Sequence, residues 1–95
     1  MKLAIIVGSC VSTIKQNELK GCKLLLVQDY SIIEKRTVGH PYVAVDTVGA
    51  GVGETVCVVK GAPAQKLFST SKMPIDSAIV AIVDSFSLGD NEVKA

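Results

Sequence analysis

Few side chains in this 95-residue sequence are of types that perform chemistry, and their spacing is sparse. The three cysteines, Cys10, Cys22 and Cys57, include no C-x-x-C pair, and the only histidine is His40. No zinc-ligand spacing results. A thiolate at Cys10 or Cys22 with His40 as its base would be a nucleophile pair, but no local motif joins them. The thiols read instead as reduced, buried small hydrophobes in a cytosolic setting. The carboxylates Asp46, Glu54, Asp76 and Asp84 fall at the ends of apolar runs or in turns. There they bond to turn amides more often than they act as acids or bases. No catalytic residue, metal or cofactor is therefore expected.

The remaining chemical candidate is backbone rather than side chain. Between Tyr42–Asp46 and Glu54–Val59, two runs that read as β-strands, sit Gly49, Gly51 and Gly53. Three glycines in five residues suit a backbone with positive φ or one that approaches another group closely. That group could be a phosphate, a nucleotide or a second copy of the chain. A dinucleotide is disfavoured because the G-x-G-x-x-G spacing is broken. The mechanism also needs a helix to open at the glycines, whereas Thr55, Val56, Val58 and Val59 continue as a β-branched strand. The simplest alternative is a tight hairpin.

Composition narrows the field further. Ninety-five residues make one small domain, with an ordered core over residues 1–86 and a polar tail over 87–95. A chain of this size buries only roughly 60–65% of its unfolded surface. Yet 48% of the residues are hydrophobic, and the excess must face something other than the chain's own core. Ten basic and nine acidic residues leave a net charge of +1, too balanced for a nucleic-acid footprint. The aromatics are Tyr30, Tyr42, Phe68 and Phe86, with no tryptophan. That is a thin supply for stacking single-stranded bases. Leu3–Val7 after Lys2 is shorter than the roughly 7–15 apolar residues of a signal sequence and reads as the first strand.

The elements follow in order. Strands are expected at 3–11, 23–28, 42–46, 54–59 and 78–84. A polar connection covers 11–20 and a hydrophilic one 29–41; one short helix is expected at 62–68, with Pro63 in its first turn. Five short strands with irregular connections suggest an all-β fold, a small five-stranded OB-like barrel. The first, second and last strands are apolar on both faces, as in Ala78-Ile79-Val80-Ala81-Ile82-Val83. Half-exposed antiparallel strands normally alternate with polar residues. A partner, most simply another copy, should cover the outer faces; about 800 Å² per contact is enough for a specific interface.

Three segments together resemble one family. They are Gly8–Lys15 with Leu19–Gln28, then Val43–Glu54, then Pro74–Asp76 with Ala81–Asp84. In order and spacing they are similar to the bacterial microcompartment vertex proteins of the EutN/CcmL family. The resemblance runs from Met1 to about Asp84. It implies a non-catalytic structural protein whose cyclic homopentamers cap the vertices of a polyhedral shell, among hexameric shell tiles, in the bacterial cytoplasm. On this reading Asp46, Gly49, Ala50, Gly51, Gly53 and Glu54 lie at the subunit interface or five-fold axis. Lys15, Lys20, Lys23, Pro74 and Asp76 form a rim toward neighbouring tiles. The runner-up is an OB-type binding module for single-stranded nucleic acid or another ligand.

Overall fold

The structure, a computed structural model, describes residues 1–10, 23–61, 76–89 and 91–94. Among these residues are eight strands: β1 (Lys2–Cys10), β2 (Lys23–Ser31), β3 (Arg36–Thr37), β4 (Tyr42–Asp46), β5 (Thr55–Lys60), β6 (Ser77–Ile82), β7 (Ser85–Leu88) and β8 (Asn91–Lys94). Five of them close on one another in the order β1-β2-β4-β6-β5-β1. Every pairing is antiparallel except β4 with β6. This is the expected five-stranded OB-like barrel. The expected helix at 62–68 lies outside the described residues.

Side-chain alternation sorts the barrel's two faces. Ala4 and Ile6 of β1, Leu25 and Val27 of β2, Ala44 of β4, Val56 and Val58 of β5 and Ile79 of β6 form the interior. Each large aliphatic buried in this way contributes roughly 1.5–3 kcal/mol. Two irregularities bend the sheet into closure, one in β1 between Ile6 and Gly8, the other in β6, where Val80 is extra opposite the Cys57–Val58 step of β5. Bulges are the usual device for turning barrel corners. The first has a second effect: it sets Gly8 opposite Leu26, on the outside.

One expectation is overturned. The glycine-rich stretch is not a hairpin, because β4 and β5 do not pair with each other. β6 lies between them, parallel to β4 and antiparallel to β5. The connection from Asp46 to Thr55 therefore crosses the barrel mouth instead of turning back at a sheet edge. Thr47 fixes the crossing, donating to the Ile79 carbonyl from both Oγ1 (2.6 Å) and its amide (3.3 Å).

Two segments carry more structure than the sequence suggests. β2 continues through Ser31 and returns as β3, over a turn that places Lys35 at φ 56°. Its amides are satisfied locally: Glu34 N donates to Ser31 Oγ (3.1 Å) and Lys35 N to the Ser31 carbonyl (2.8 Å). The region expected as a polar tail pairs as the β7–β8 hairpin. The Phe86 ring packs tilted against Tyr30, centroids 6.3 Å apart, and ties this hairpin to β2.

Candidate functional site

The crossing loop is built from a carboxylate at each end. Asp46 Oδ1 accepts from the amides of Val48 (3.0 Å) and Gly49 (3.1 Å). Glu54 Oε1 accepts from the Gly51 amide (2.7 Å), and the Glu54 amide donates to the Gly51 carbonyl (3.1 Å). Both acids thus bond to turn amides, as their positions in the sequence suggested. The Gly53 amide donates to the Ile6 carbonyl (2.8 Å), and the Ile6 amide to the Glu54 carbonyl (3.0 Å). These two bonds anchor the loop to β1.

Ala50 points down into the barrel and is 1% exposed, closing the mouth as part of the core. Val48 and Val52, on either side, are 38% and 65% exposed. The loop therefore holds a small peg inward and two branched apolar side chains outward.

The three glycines have different reasons to be glycine. Gly49 (φ 80°) and Gly53 (φ 92°) occupy the left-handed region, which costs other residues roughly 1–2 kcal/mol. Gly51 does not. A Cβ there would meet only Glu54 Oε1, at an ordinary 3.6 Å. Nothing among the described residues demands a glycine at this position.

Lys23, expected on the rim, is engaged with this loop. Opposite Asp46 in register, it donates from Nζ to the Ala50 carbonyl (2.7 Å) and faces Asp46 Oδ2 at 3.7 Å. Its side chain remains half exposed, while that of Asp46 is 2% exposed. Asp76 is exposed, and its carbonyl accepts from the Gly61 amide (2.7 Å). Lys15, Lys20 and Pro74 lie outside the described residues.

A second polar cluster, not anticipated from sequence, closes the opposite mouth. Tyr42 Oη donates to Asp29 Oδ1 (2.6 Å), Lys2 Nζ lies 3.4 Å from Asp29 Oδ2, and Lys60 Nζ sits 3.8 Å from the Tyr42 ring centroid. Burial pushes the Tyr42 hydroxyl well above the usual phenol range, and the Asp29 carboxylate it bonds to adds to the shift. Burial would also raise Asp29. The Tyr42 hydrogen bond and the Lys60 and Lys2 charges outweigh that and hold its carboxyl below the ordinary 3.8. Each of these four residues lies two positions from an inward one, Lys2 and Tyr42 before it and Asp29 and Lys60 after it, the signal that could have placed them at a barrel end.

Among the described residues no group of three or more His, Cys, Asp or Glu is placed to hold a metal. Nor do the described aromatics form a stacking surface, since Tyr42 lies under Lys60 and Tyr30 packs on Phe86. Among the described residues, two apolar patches lie on the outer face of the strands. One covers β1, β2 and β4 with Cys10, Leu24, Leu26 and Val43; the other covers β1, β5 and β6 with Leu3, Cys57 and Ala81, which are aligned across three strands.

Known proteins are similar to this chain over most of its length. The family described as "Ethanolamine utilisation protein EutN/carboxysome" matches residues 1–84. The bacterial microcompartment shell vertex protein PduN of Salmonella typhimurium is 46% identical over 91 residues, covering 92% of this chain and 99% of its own. The carboxysome shell vertex protein CcmL of Thermosynechococcus vestitus is 40% identical over 87 residues, covering 92% and 87%. Among solved structures, the GrpN pentameric microcompartment shell protein of Rhodospirillum rubrum superposes with a TM-score of 0.78 at 40% identity, covering 93% of this chain and all of that one. With the glycine crossing loop, the closed barrel and the family match in agreement over the same residues, the chain belongs to the EutN/CcmL family.

Proposed function

We propose that this protein is a structural, non-catalytic component of a bacterial microcompartment shell, in which its homopentamers close the vertices. The likeness to named shell vertex proteins over nearly the whole chain carries this reading. The geometry supports it. A ring of identical subunits uses a head-to-tail contact, so each subunit needs two different complementary surfaces. Each subunit here has two, on opposite flanks of β1.

The crossing loop is proposed to lie at the subunit contact or around the five-fold axis. Gly51, Val48 and Val52 would face the neighbour, and the backbone at Gly51 would approach it too closely for a side chain. Asp46, Gly49, Gly53 and Glu54 shape the loop from within, and Ala50 seats it in the barrel. Hexameric shell tiles are the proposed outer partners, through a rim of Lys15, Lys20, Lys23, Pro74 and Asp76. The compartment would lie in the bacterial cytoplasm.

The test is native mass at micromolar concentration. Five copies of the 10.0 kDa chain make a species of about 50 kDa. A soluble, stable 10.0 kDa monomer would overturn the ring.

A further inference from the structure

We infer that Lys23 is the positioning residue that locks the crossing loop into its assembly-competent shape, so that the contact surface is set within each subunit before subunits meet. The inference rests on the ring reading above and adds the device that prepares it.

Four observations converge on this one side chain. Lys23 opens β2 and lies opposite Asp46, which ends β4. Leu25 and Val27 are buried two and four residues later, and Ala44 is buried two residues before Asp46, so both side chains belong to the inward row at the barrel mouth. The Asp46 carboxylate is almost fully buried there and holds the start of the loop through the Val48 and Gly49 amides. A buried carboxylate needs compensating charge, and among the described residues the Lys23 ammonium is the cation within reach. The same ammonium donates at 2.7 Å to the Ala50 carbonyl, the midpoint of the loop.

One cation thus ties the loop's entry to its inward peg. If Lys23 released Ala50, the Ala50 carbonyl would lose its partner, and the peg would rest on its small side chain and on the flanking Gly49 and Gly51 amide bonds to Asp46 and Glu54. Val48, Gly51 and Val52 would then sample several arrangements, and a neighbour would have to select one. A binding-competent state populated only fractionally weakens apparent affinity by that fraction. Because Lys23 works from behind the loop and its stem remains half exposed, its removal should change assembly more than folding.

The test uses the full chain with Lys23→Met, which keeps the stem and removes the charge. Two quantities are read: the concentration at which rings form, by native mass, and amide hydrogen exchange at Val48, Gly49 and Gly51 compared with barrel amides such as Val27. The expected result is a tenfold or greater rise in the ring-forming concentration, with loop amides exchanging at least tenfold faster and barrel amides unchanged. The double variant Lys23→Met with Asp46→Asn leaves no unpaired carboxylate, and covers the case in which the single variant does not fold. It too should assemble weakly, because the Ala50 carbonyl stays unheld. Wild-type rings together with unchanged ring formation in the folded variant overturn the role of Lys23 alone. A wild-type monomer overturns the ring reading, and the assembly role of Lys23 with it.

Discussion

Replacing Gly51 by leucine separates what the subunit needs from what the ring needs. Among the described residues the site is permissive: φ lies outside the left-handed region, and an added Cβ meets only Glu54 Oε1 at 3.6 Å. Removing a glycine from a compatible backbone restricts the unfolded chain and stabilises by about 0.4–1 kcal/mol. A leucine whose side chain projects to solvent should therefore leave subunit stability within about 1 kcal/mol of wild type. At the proposed contact the balance reverses. Extra methylenes forced into a close-packed interface cost roughly 1–3 kcal/mol. At tenfold per 1.4 kcal/mol, that weakens each contact by roughly 5- to 150-fold, and the cost recurs at every contact around the ring. The assay is native mass across a protein concentration series, run beside urea denaturation of the same samples. Gly53→Ala is the control with the opposite signature. At φ 92° an alanine costs roughly 1–2 kcal/mol, and the loss appears in denaturation of the subunit itself. If Gly51→Leu forms rings over the same concentration range as wild type, no neighbour approaches the loop there, and the close-approach argument is wrong.

Other consequences follow from the two ends of the barrel and its core. Tyr42→Phe removes the hydroxyl that donates to Asp29 at 2.6 Å. It should lower stability by about 1–3 kcal/mol, read as a shifted urea midpoint with unchanged m. The same pair sets a pH dependence. Asp29 titrates below its ordinary 3.8 in the folded chain, so its contribution is present above that pH and is lost as pH falls through the lower folded value. Tyr42 titrates above its ordinary 10.0, so the neutral hydroxyl stabilises the fold below pH 10.0 and that contribution disappears as pH rises beyond it. Asp29→Asn should flatten the acid limb of a stability–pH profile; a limb identical to wild type would show that another group governs it. Ile79→Ala deletes a fully buried side chain at the β4–β6 junction, and should cost about 2–5 kcal/mol in thermal or urea unfolding.

Strand content was legible because it depends on nearest neighbours along the chain. Ala4 and Ile6, Leu25 and Val27, and Val56 and Val58 repeat at the two-residue period of a pleated strand, and the structure buries each pair. The excess apolar surface was legible for the same reason. Leu24, Leu26 and Ala81 occupy the alternate positions, facing away from the barrel core. Less was legible at the C-terminus. Asn91–Lys94 reads as a polar run, yet it pairs with Ser85–Leu88, and that hairpin joins the barrel through Phe86 against Tyr30, a contact spanning more than fifty residues.

The chain alone determined that two strands flank a glycine-rich stretch with an acid at each end, and that those acids bond turn amides. The propensities involved are local: β-branched runs, Asx geometry at Asp46 and left-handed φ at Gly49 and Gly53. Only the tertiary structure decided that the stretch crosses a barrel mouth rather than forming a hairpin. That depends on β6 entering between β4 and β5 from beyond residue 76, and sequence adjacency carries no information about a later strand's insertion. The same closure brought Lys23 beside Asp46 and Ala50. It likewise gathered Lys2, Asp29, Tyr42 and Lys60 at the other end. A ring of strands places residues from distant segments around one opening, and which residues meet there is set by register.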